Sequence, residues 1–209
     1  MKKLLVEFIG TFFLAVTVAT AAVLGTAGPM APFAIASVLM VMIYAGGHIS
    51  GAHYNPAVSL AVFLRGKCTA NEFGGYVVVQ ALAAILSVFV AKALVPAAPA
   101  IEPLKLISTQ TVIAELLFTF ALAWVVLNTA TAKVTAGNSN YGLSIGFTVL
   151  AGALTVGGIS GGAFNPAVTT MLIVIGKLPI IDCWMHLLPQ ILGATAAAYV
   201  FKSTHTEDV

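Results

Sequence analysis

Six long apolar runs, separated by short polar segments, constrain this chain more than any other feature of its sequence. A helix that crosses a bilayer needs about 20 predominantly apolar residues. The runs near that length are Leu4–Leu24, Pro32–Ala45, Phe73–Val95, Thr111–Ala132, Tyr141–Val156 and Ile180–Phe201. Only 8% of the 209 residues are charged, whereas soluble domains carry about 25%. The runs are continuous rather than alternating, which favours an all-α bundle of membrane helices over a β-barrel.

Two shorter apolar stretches, Asn55–Leu64 and Asn165–Ile175, each follow a glycine-rich segment after the second and fifth runs. As helices they are about 15 Å long, half the thickness of the hydrocarbon core. Irregular backbone at that depth is tolerated only where it is buried or lines a wet cavity, so we predict two re-entrant half-helices beside a pathway. We also expect the preceding glycines to let the backbone run extended, with its carbonyls along the pathway. These glycines are Gly46, Gly47, Gly51, Gly157, Gly158, Gly161 and Gly162.

The two halves of the chain repeat the same motifs at nearly constant spacing. Glu7 and Asn55 correspond to Glu115 and Asn165, with offsets of 115 − 7 = 108 and 165 − 55 = 110. Each half holds three long runs, an odd number, so the second copy must be inverted relative to the first. We therefore predict one membrane domain over 1–209, with repeat one at about 1–95, a linker at about 96–110 and repeat two at about 111–209.

An Asn-Pro-Ala motif begins each short stretch, and its chemistry suits the start of a half-helix. The motifs are Asn55-Pro56-Ala57 and Asn165-Pro166-Ala167. Asparagine is a favoured N-cap, proline suits the first helical position, and the asparagine amide keeps N–H donors for what lies beyond the helix. In an inverted repeat the two helix N-termini meet near the midplane, and each carries about +0.5 elementary charge. This arrangement predicts a pathway that passes water or neutral hydroxyl compounds and repels cations, including hydronium.

With these motifs the chain resembles the major intrinsic protein family, the aquaporins and aquaglyceroporins. The resemblance rests on a Glu-x-x-x-Thr-x-x-Leu pattern in the first and fourth runs, on the string from Gly47 to Val58 and on its second-half counterpart. It implies six transmembrane helices with two re-entrant half-helices, a pore in each protomer and a homotetramer. It also implies that Glu7 and Glu115 brace the re-entrant loops and that His53 has a structural role in the first loop.

The sequence departs from the family pattern at the narrow outer filter. Family members typically have arginine directly after the second Asn-Pro-Ala, whereas this chain has Val168, and its one arginine is Arg65. Counting from the asparagines, the resemblance implies that the other filter positions are Ile35, Ala153 and Gly162. Small apolar side chains make a wider constriction with fewer donors. We therefore expect larger neutral solutes to pass alongside water, such as glycerol, urea, ammonia or undissociated metalloid acids.

The few basic residues set the expected orientation. With a cytoplasmic N-terminus, six of the nine lysines and arginines face inward and three outward, as the positive-inside rule requires. Both termini are then cytoplasmic, the protein lies in the cell membrane, and Arg65 is a positively charged anchor on the inner side. An alternative at the outer mouth is that Lys105 or Lys177 folds over it and restores a positive charge, although lysine is a poorer fixed donor than arginine.

The same composition argues against several other classes of function. The formal net charge is +2, with no basic cluster to neutralise the phosphates of a nucleic acid. Cys68 and Cys183 lack metal-ligand spacing, and we expect neither a metal nor another cofactor. No paired nucleophile and base stand out in the spans, which argues against an enzyme. A secondary transporter with inverted repeats and ion-coupled flux is the remaining alternative to a passive channel.

Overall fold

Eight α-helices make up most of residues 1–208, the part of the chain that the computed structural model describes, and no strand occurs in that part. In chain order they are α1 (Lys2–Thr17), α2 (Ala31–Ser50), α3 (Pro56–Leu64), α4 (Ala70–Leu94), α5 (Ser108–Val126), α6 (Tyr141–Ser160), α7 (Pro166–Ile175) and α8 (Trp184–Thr204). A π-helical turn extends α1 through Val18–Val23, and another extends α5 through Leu127–Thr131. The predicted all-α fold class is confirmed.

Five helical segments are long and apolar enough to cross a membrane, judged by length and composition. They are Lys2–Val23, Gly28–Ser50, Ala70–Leu94, Ser108–Thr131 and Tyr141–Ser160. The last helix, α8, has 21 residues and falls outside this set, since it carries the buried polar residues His186 and Gln190. It begins at Trp184 rather than at the predicted Ile180, because Ile180–Asp182 forms a separate 3₁₀ turn. With α3 and α7, the fold has six long helices and two short ones.

The predicted ends of the second and fifth spans are wrong. Both α2 and α6 continue as helix to Ser50 and Ser160, so Gly46 and its neighbours are helical and not extended. The residue that follows each helix is a glycine: Gly51 and Gly161 have φ values of 90° and 89°. A glycine in this left-handed conformation is a common helix C-cap. The irregular segments before the half-helices are therefore only a few residues long.

The second and third helices of the two halves start at the same spacing along the chain. The start of α6 lies 141 − 31 = 110 positions after that of α2, and the start of α7 lies 166 − 56 = 110 positions after that of α3. In each half the first helix packs along the last, α1 on α4 and α5 on α8, while α2 packs on α6 across the halves. These contacts are close: a Cβ on Gly193 would lie 2.6 Å from the backbone oxygen of Leu116.

The segment between the halves packs against the end of α7. Residues 95–107 contain no helix, and α5 begins at Ser108, slightly before the predicted Thr111. The Leu104 N–H donates to the Lys177 carbonyl at 2.9 Å. In return, Lys177 Nζ donates to the Glu102 carbonyl at 2.8 Å. The linker is thereby held beside the second half-helix.

Candidate functional site

The two half-helices begin with the same side-chain cap. The Asn55 side-chain oxygen accepts the Ala57 N–H at 2.8 Å and the Val58 N–H at 3.4 Å. In the second half, Asn165 Oδ1 accepts the Ala167 N–H at 2.9 Å. Pro56 and Pro166 follow at the first helical position, where no N–H is needed. Local sequence alone therefore explains where α3 and α7 start.

The same two asparagines join the halves of the molecule. Asn55 Nδ2 donates to the Phe164 carbonyl at 2.9 Å, and Asn165 Nδ2 donates to the Tyr54 carbonyl at the same distance. A primary amide has two N–H donors, so each asparagine keeps one after making this bond. Both side chains are almost fully buried, yet both line a common cavity. The remaining donors are thus available to a molecule inside it.

A cavity of about 230 Å³ extends along the half-helix starts and between the long helices. The four positions expected to form the filter all line it: Ile35, Ala153, Gly162 and Val168. Most other lining side chains are aliphatic, among them Leu39, Leu122 and Val149. No lysine, arginine, aspartate or glutamate of residues 1–208 lines this cavity. Its polar side chains are His53, Tyr54, Asn55 and Asn165.

A second cavity, of about 250 Å³, adjoins the first at His53 and Val126, which line both. It is more polar, because Ser50, Thr131 and Lys67 contribute to its wall. The His53 ring is fixed at the junction by Ser59, whose hydroxyl lies 3.1 Å from Nδ1. The Tyr76 ring packs edge-on against it, with centroids 5.1 Å apart. His53 is therefore a wall residue between the two cavities.

Glu7 lies behind the first re-entrant segment and accepts four hydrogen bonds. Its Oε1 accepts from the Ser50 hydroxyl at 2.7 Å and the His53 N–H at 2.9 Å. Its Oε2 accepts from the Tyr54 N–H at 2.7 Å and from Gln80 Nε2 at 2.9 Å. The carboxylate is fully buried and does not line the cavity. It holds the short stretch between α2 and α3 against α1.

Glu115 makes the equivalent set of bonds in the second half. Its two oxygens accept from the Ser160 hydroxyl, the Ala163 and Phe164 N–H groups and Gln190 Nε2, at distances from 2.7 to 3.0 Å. Beside it, His186 donates from Nε2 to the Ser160 carbonyl at 2.7 Å. Each acid thus accepts the backbone N–H groups of the irregular segment that follows α2 or α6, which would otherwise be buried without a partner.

Four residues of these networks were not singled out from the sequence. They are Gln80 and Tyr76 in α4 and their counterparts Gln190 and His186 in α8. His186 is fully buried and occupies the position that Tyr76 has in the first half, since 186 − 76 = 110. Buried polar residues at the repeat offset are the signal that would have found all four.

Three comparisons with known proteins agree with this geometry. The sequence model of the family described as Major intrinsic protein matches residues 1–157 and 149–208. The chain belongs to this family. Glycerol uptake facilitator protein-like 6 of Lactiplantibacillus plantarum is 32% identical over 219 residues, covering 100% of both chains. Aquaporin NIP1-1 of Zea mays is 31% identical over 212 residues, covering 97% of this chain and 74% of the relative.

A solved structure supports the fold of this Major intrinsic protein. The aquaglyceroporin from Plasmodium falciparum superposes with a TM-score of 0.80 at 22% identity, covering 96% of this chain and 94% of that one. Family membership and the apolar helices make the chain a multi-pass membrane protein. The family is one of channels for water and small solutes rather than of enzymes.

Arg65, the one arginine of the chain and the expected anchor on the inner side, is a buried residue. Its side chain is 2% exposed and pairs with Asp208, with Nη2 and Oδ1 2.9 Å apart. The guanidinium also lies 4.8 Å from the centroid of the Phe201 ring. An ion that must leave water needs such partners, and the residues after α8 supply them. No local sequence pattern predicts a contact between residues this far apart.

Neither lysine considered as a substitute for the missing filter arginine contributes to the cavity wall. Lys177 donates its Nζ to the Glu102 carbonyl, and Lys105 lies in the exposed linker beside it. Both are absent from the residues that line the cavity. The wall near Val168 therefore carries no formal positive charge from any residue between 1 and 208.

Proposed function

We propose that this chain is a passive channel for small uncharged solutes as well as water, and that they pass between the two half-helices. The observation that carries the proposal is the uncharged, mostly aliphatic lining of the cavity at Ile35, Ala153, Gly162 and Val168. A filter with an arginine offers a fixed charge and several donors, which favour water over bulkier solutes. This lining offers neither. It accommodates the carbon skeleton of a small polyol or amide.

The asparagine pair supplies the polar side of the same pathway. One amide N–H of Asn55 and one of Asn165 remain after the bonds between the halves, and both residues line the cavity. A solute hydroxyl or a water oxygen can accept from them. A water held by its oxygen points its protons away from this point, so a hydrogen-bonded chain of water is interrupted here. The positive ends of α3 and α7 add an electrostatic barrier to cations.

The relatives' names agree with this class of solute. One is called a glycerol uptake facilitator protein and another an aquaporin. The proposal for this chain includes glycerol and urea, with ammonia and undissociated metalloid acids as smaller or similar neutral solutes. The apolar filter supports the passage of glycerol and urea in particular, because a carbon-bearing solute loses less free energy than water does when it leaves bulk water for aliphatic walls.

Ion-coupled transport is the alternative, and the two buried acids argue against it. A coupling ion in a broken-helix transporter is held by charged or carbonyl groups near the break. Glu7 and Glu115 lie near the breaks, but each already accepts four hydrogen bonds and neither lines the cavity. They support the loops instead. We therefore propose that flux is not saturable at low solute concentration and needs no ion gradient.

The proposal extends to the setting of the channel. We place the protein in the cell membrane with both termini cytoplasmic, since this puts six of nine basic residues inside, as the positive-inside rule requires. Large apolar side chains such as Phe13, Phe89 and Phe147 are exposed on the helix bundle. In a bilayer they contact lipid or neighbouring copies. By analogy with the family we propose a homotetramer with a pore in each protomer.

Stopped-flow light scattering on proteoliposomes tests the function. We expect vesicles that contain the protein to shrink rapidly in a sucrose gradient and then to re-swell rapidly when glycerol or urea replaces sucrose. Empty liposomes of the same lipid provide the baseline. Rapid water flow without entry of glycerol or urea would contradict the wide filter. Entry that depends on a sodium or proton gradient would favour the transporter.

A further inference from the structure

Two aromatic residues stand directly before the paired asparagines and share an unusual backbone conformation. Tyr54 and Phe164 have φ values of 49° and 48°, in the left-handed region that bulky residues rarely adopt. Both are 1% exposed. The carbonyl of each accepts the amide of the asparagine from the opposite half, Asn165 on Tyr54 and Asn55 on Phe164. These two carbonyls, together with the caps at Ala57 and Ala167, therefore fix where each asparagine amide points.

The Tyr54 ring occupies a notch that exists only because two glycines form it. A Cβ on Gly10 would lie 2.2 Å from Cε1 of the ring, and a Cβ on Gly46 would lie 2.0 Å from its hydroxyl oxygen. Both distances are far below a van der Waals contact, so a larger residue in place of Gly10 or Gly46 would displace the ring. The hydroxyl also donates to the Met42 carbonyl at 2.9 Å. The ring is thus held by its packing against Gly10 and Gly46 and by its hydrogen bond to Met42.

Phe164 is seated in the same way in the second half. A Cβ on Gly152 would lie 2.6 Å from its Cε2, and the Phe118 ring packs against it with centroids 5.4 Å apart. Phe164 has no hydroxyl, so here its side chain is held by ring packing alone, while its N–H donates to Glu115 at 2.8 Å. A left-handed conformation at a bulky residue persists only when its surroundings hold it. In both halves those surroundings are the glycines against which the buried ring packs and the acid that accepts the residue's own N–H.

We propose that Tyr54 and Phe164 are positioning residues, whose rings hold the carbonyls that orient the Asn165 and Asn55 amides and thereby maintain the barrier to protons. The inference rests on the proposed pore function and adds a specific cause for proton exclusion. Without the ring, the strained segment can relax and its carbonyl can turn. The asparagine then loses its partner across the halves, its amide rotates, and a passing water is no longer held in one orientation. Solutes still pass, but protons leak.

Replacing each ring by leucine tests this, with proton leak as the readout. Proteoliposomes containing Tyr54→Leu or Phe164→Leu are given a pH gradient with valinomycin, and internal pH is followed with a dye. Water permeability of the same vesicles is measured by stopped-flow scattering. We expect the ratio of proton flux to water flux to rise on the order of tenfold, the factor that corresponds to loss of one hydrogen bond. Tyr54→Phe keeps the ring and should retain the low leak of the unaltered protein.

Phe201→Leu is the matched control. Phe201 is as deeply buried as the two anchors, but its ring packs on Arg65 and Trp124 and lines neither cavity. Its loss reports general loosening, and the ratio of proton to water flux should stay unchanged. The inference would be overturned if Tyr54→Leu and Phe164→Leu conduct water without any added proton leak. An equal leak in Phe201→Leu would overturn it as well. If the unaltered protein conducts neither water nor glycerol, the proposed function fails instead.

Discussion

Val168 lies in the first turn of α7, three residues after Asn165, at the position expected to carry the filter's fixed charge. It is buried in the helix bundle and its side chain reaches the cavity wall. An arginine here would add a cation and five N–H donors, whereas the side chains of the four filter positions supply neither. We therefore propose that valine at this position underlies a broad range of neutral solutes.

Val168→Arg should narrow that range. We expect glycerol permeability to fall by tenfold or more, which needs a barrier only about 1.4 kcal/mol higher, while water permeability changes less. Stopped-flow scattering with glycerol and with sucrose gradients measures both. Val168→Leu adds volume without charge and separates the two effects. Unchanged glycerol flux in Val168→Arg would place the selective constriction elsewhere.

Glu115→Gln should destabilise the loop that carries Asn165. A glutamine amide group cannot accept the bonds that one carboxylate oxygen now accepts, so a donor such as the Phe164 N–H is left buried without a partner. We expect the free energy of unfolding to fall by about 1–3 kcal/mol, measured by denaturant titration in mixed micelles. Glu102→Gln is the control, because Glu102 is exposed and only its carbonyl accepts a bond. Equal stability of the two variants would contradict the bracing role.

At the scale of elements, the ends of α2 and α6 depend on single glycines in the left-handed conformation. Gly51→Ala places a Cβ at φ 90°, 3.2 Å from the His53 ring. We expect a loss of about 1–2 kcal/mol in unfolding free energy, the usual cost of this conformation for an L-residue. Thermal unfolding in detergent by circular dichroism would measure it.

Gly74→Ala provides a control of opposite sign. Gly74 lies on the exposed side of α4 with open space around its Cα. Alanine there should stabilise the helix by up to about 1 kcal/mol. If both substitutions shift the midpoint in the same direction, the conformation of Gly51 is not what limits stability.

The half-helix starts were predictable because an asparagine cap followed by proline acts through neighbouring residues alone. The ends of α2 and α6 were not. A run of glycines looks like a helix breaker, yet Gly46 and Gly47 stay helical because the rings of Tyr54 and Tyr141 pack where side chains would be. Such packing involves residues far apart in the chain. The aromatic anchors and the Arg65–Asp208 pair escaped prediction for the same reason.

The last described residues connect the end of α8 to the end of α3, and so join the two halves of the molecule. Asp208 accepts the Lys133 backbone N–H at 2.8 Å and pairs with Arg65. The Lys133 N–H, and then the nearby Arg65 charge, hold the pKa of the Asp208 carboxyl below its usual range. A carboxyl with a lowered pKa stabilises the folded state above its ordinary pKa, and this contribution is lost as pH falls through the lowered value.

Asp208→Asn should therefore lower the thermal midpoint at neutral pH, because it leaves the buried Arg65 without its carboxylate. The difference from the unaltered protein should persist at pH 5 and shrink only below about pH 4, where the aspartate itself becomes protonated. Thermal melts in detergent across this pH range provide the measurement. Glu207→Gln removes the same charge from an exposed neighbour, whose backbone carbonyl accepts from Lys133 while its side chain makes no hydrogen bond within residues 1–208. Its thermal midpoint should match that of the unaltered protein. A midpoint difference independent of pH would contradict the pairing.

The bonds from each asparagine to the opposite half have a consequence for how the chain assembles. They form a reciprocal pair, one donor and one acceptor from each half, as in the self-complementary contact of a twofold dimer. Neither half can complete its own centre. Residues 95–107 keep the two halves at high local concentration, so a second-order encounter becomes an intramolecular one. The linker thereby makes assembly of the pore centre independent of how many copies the membrane holds.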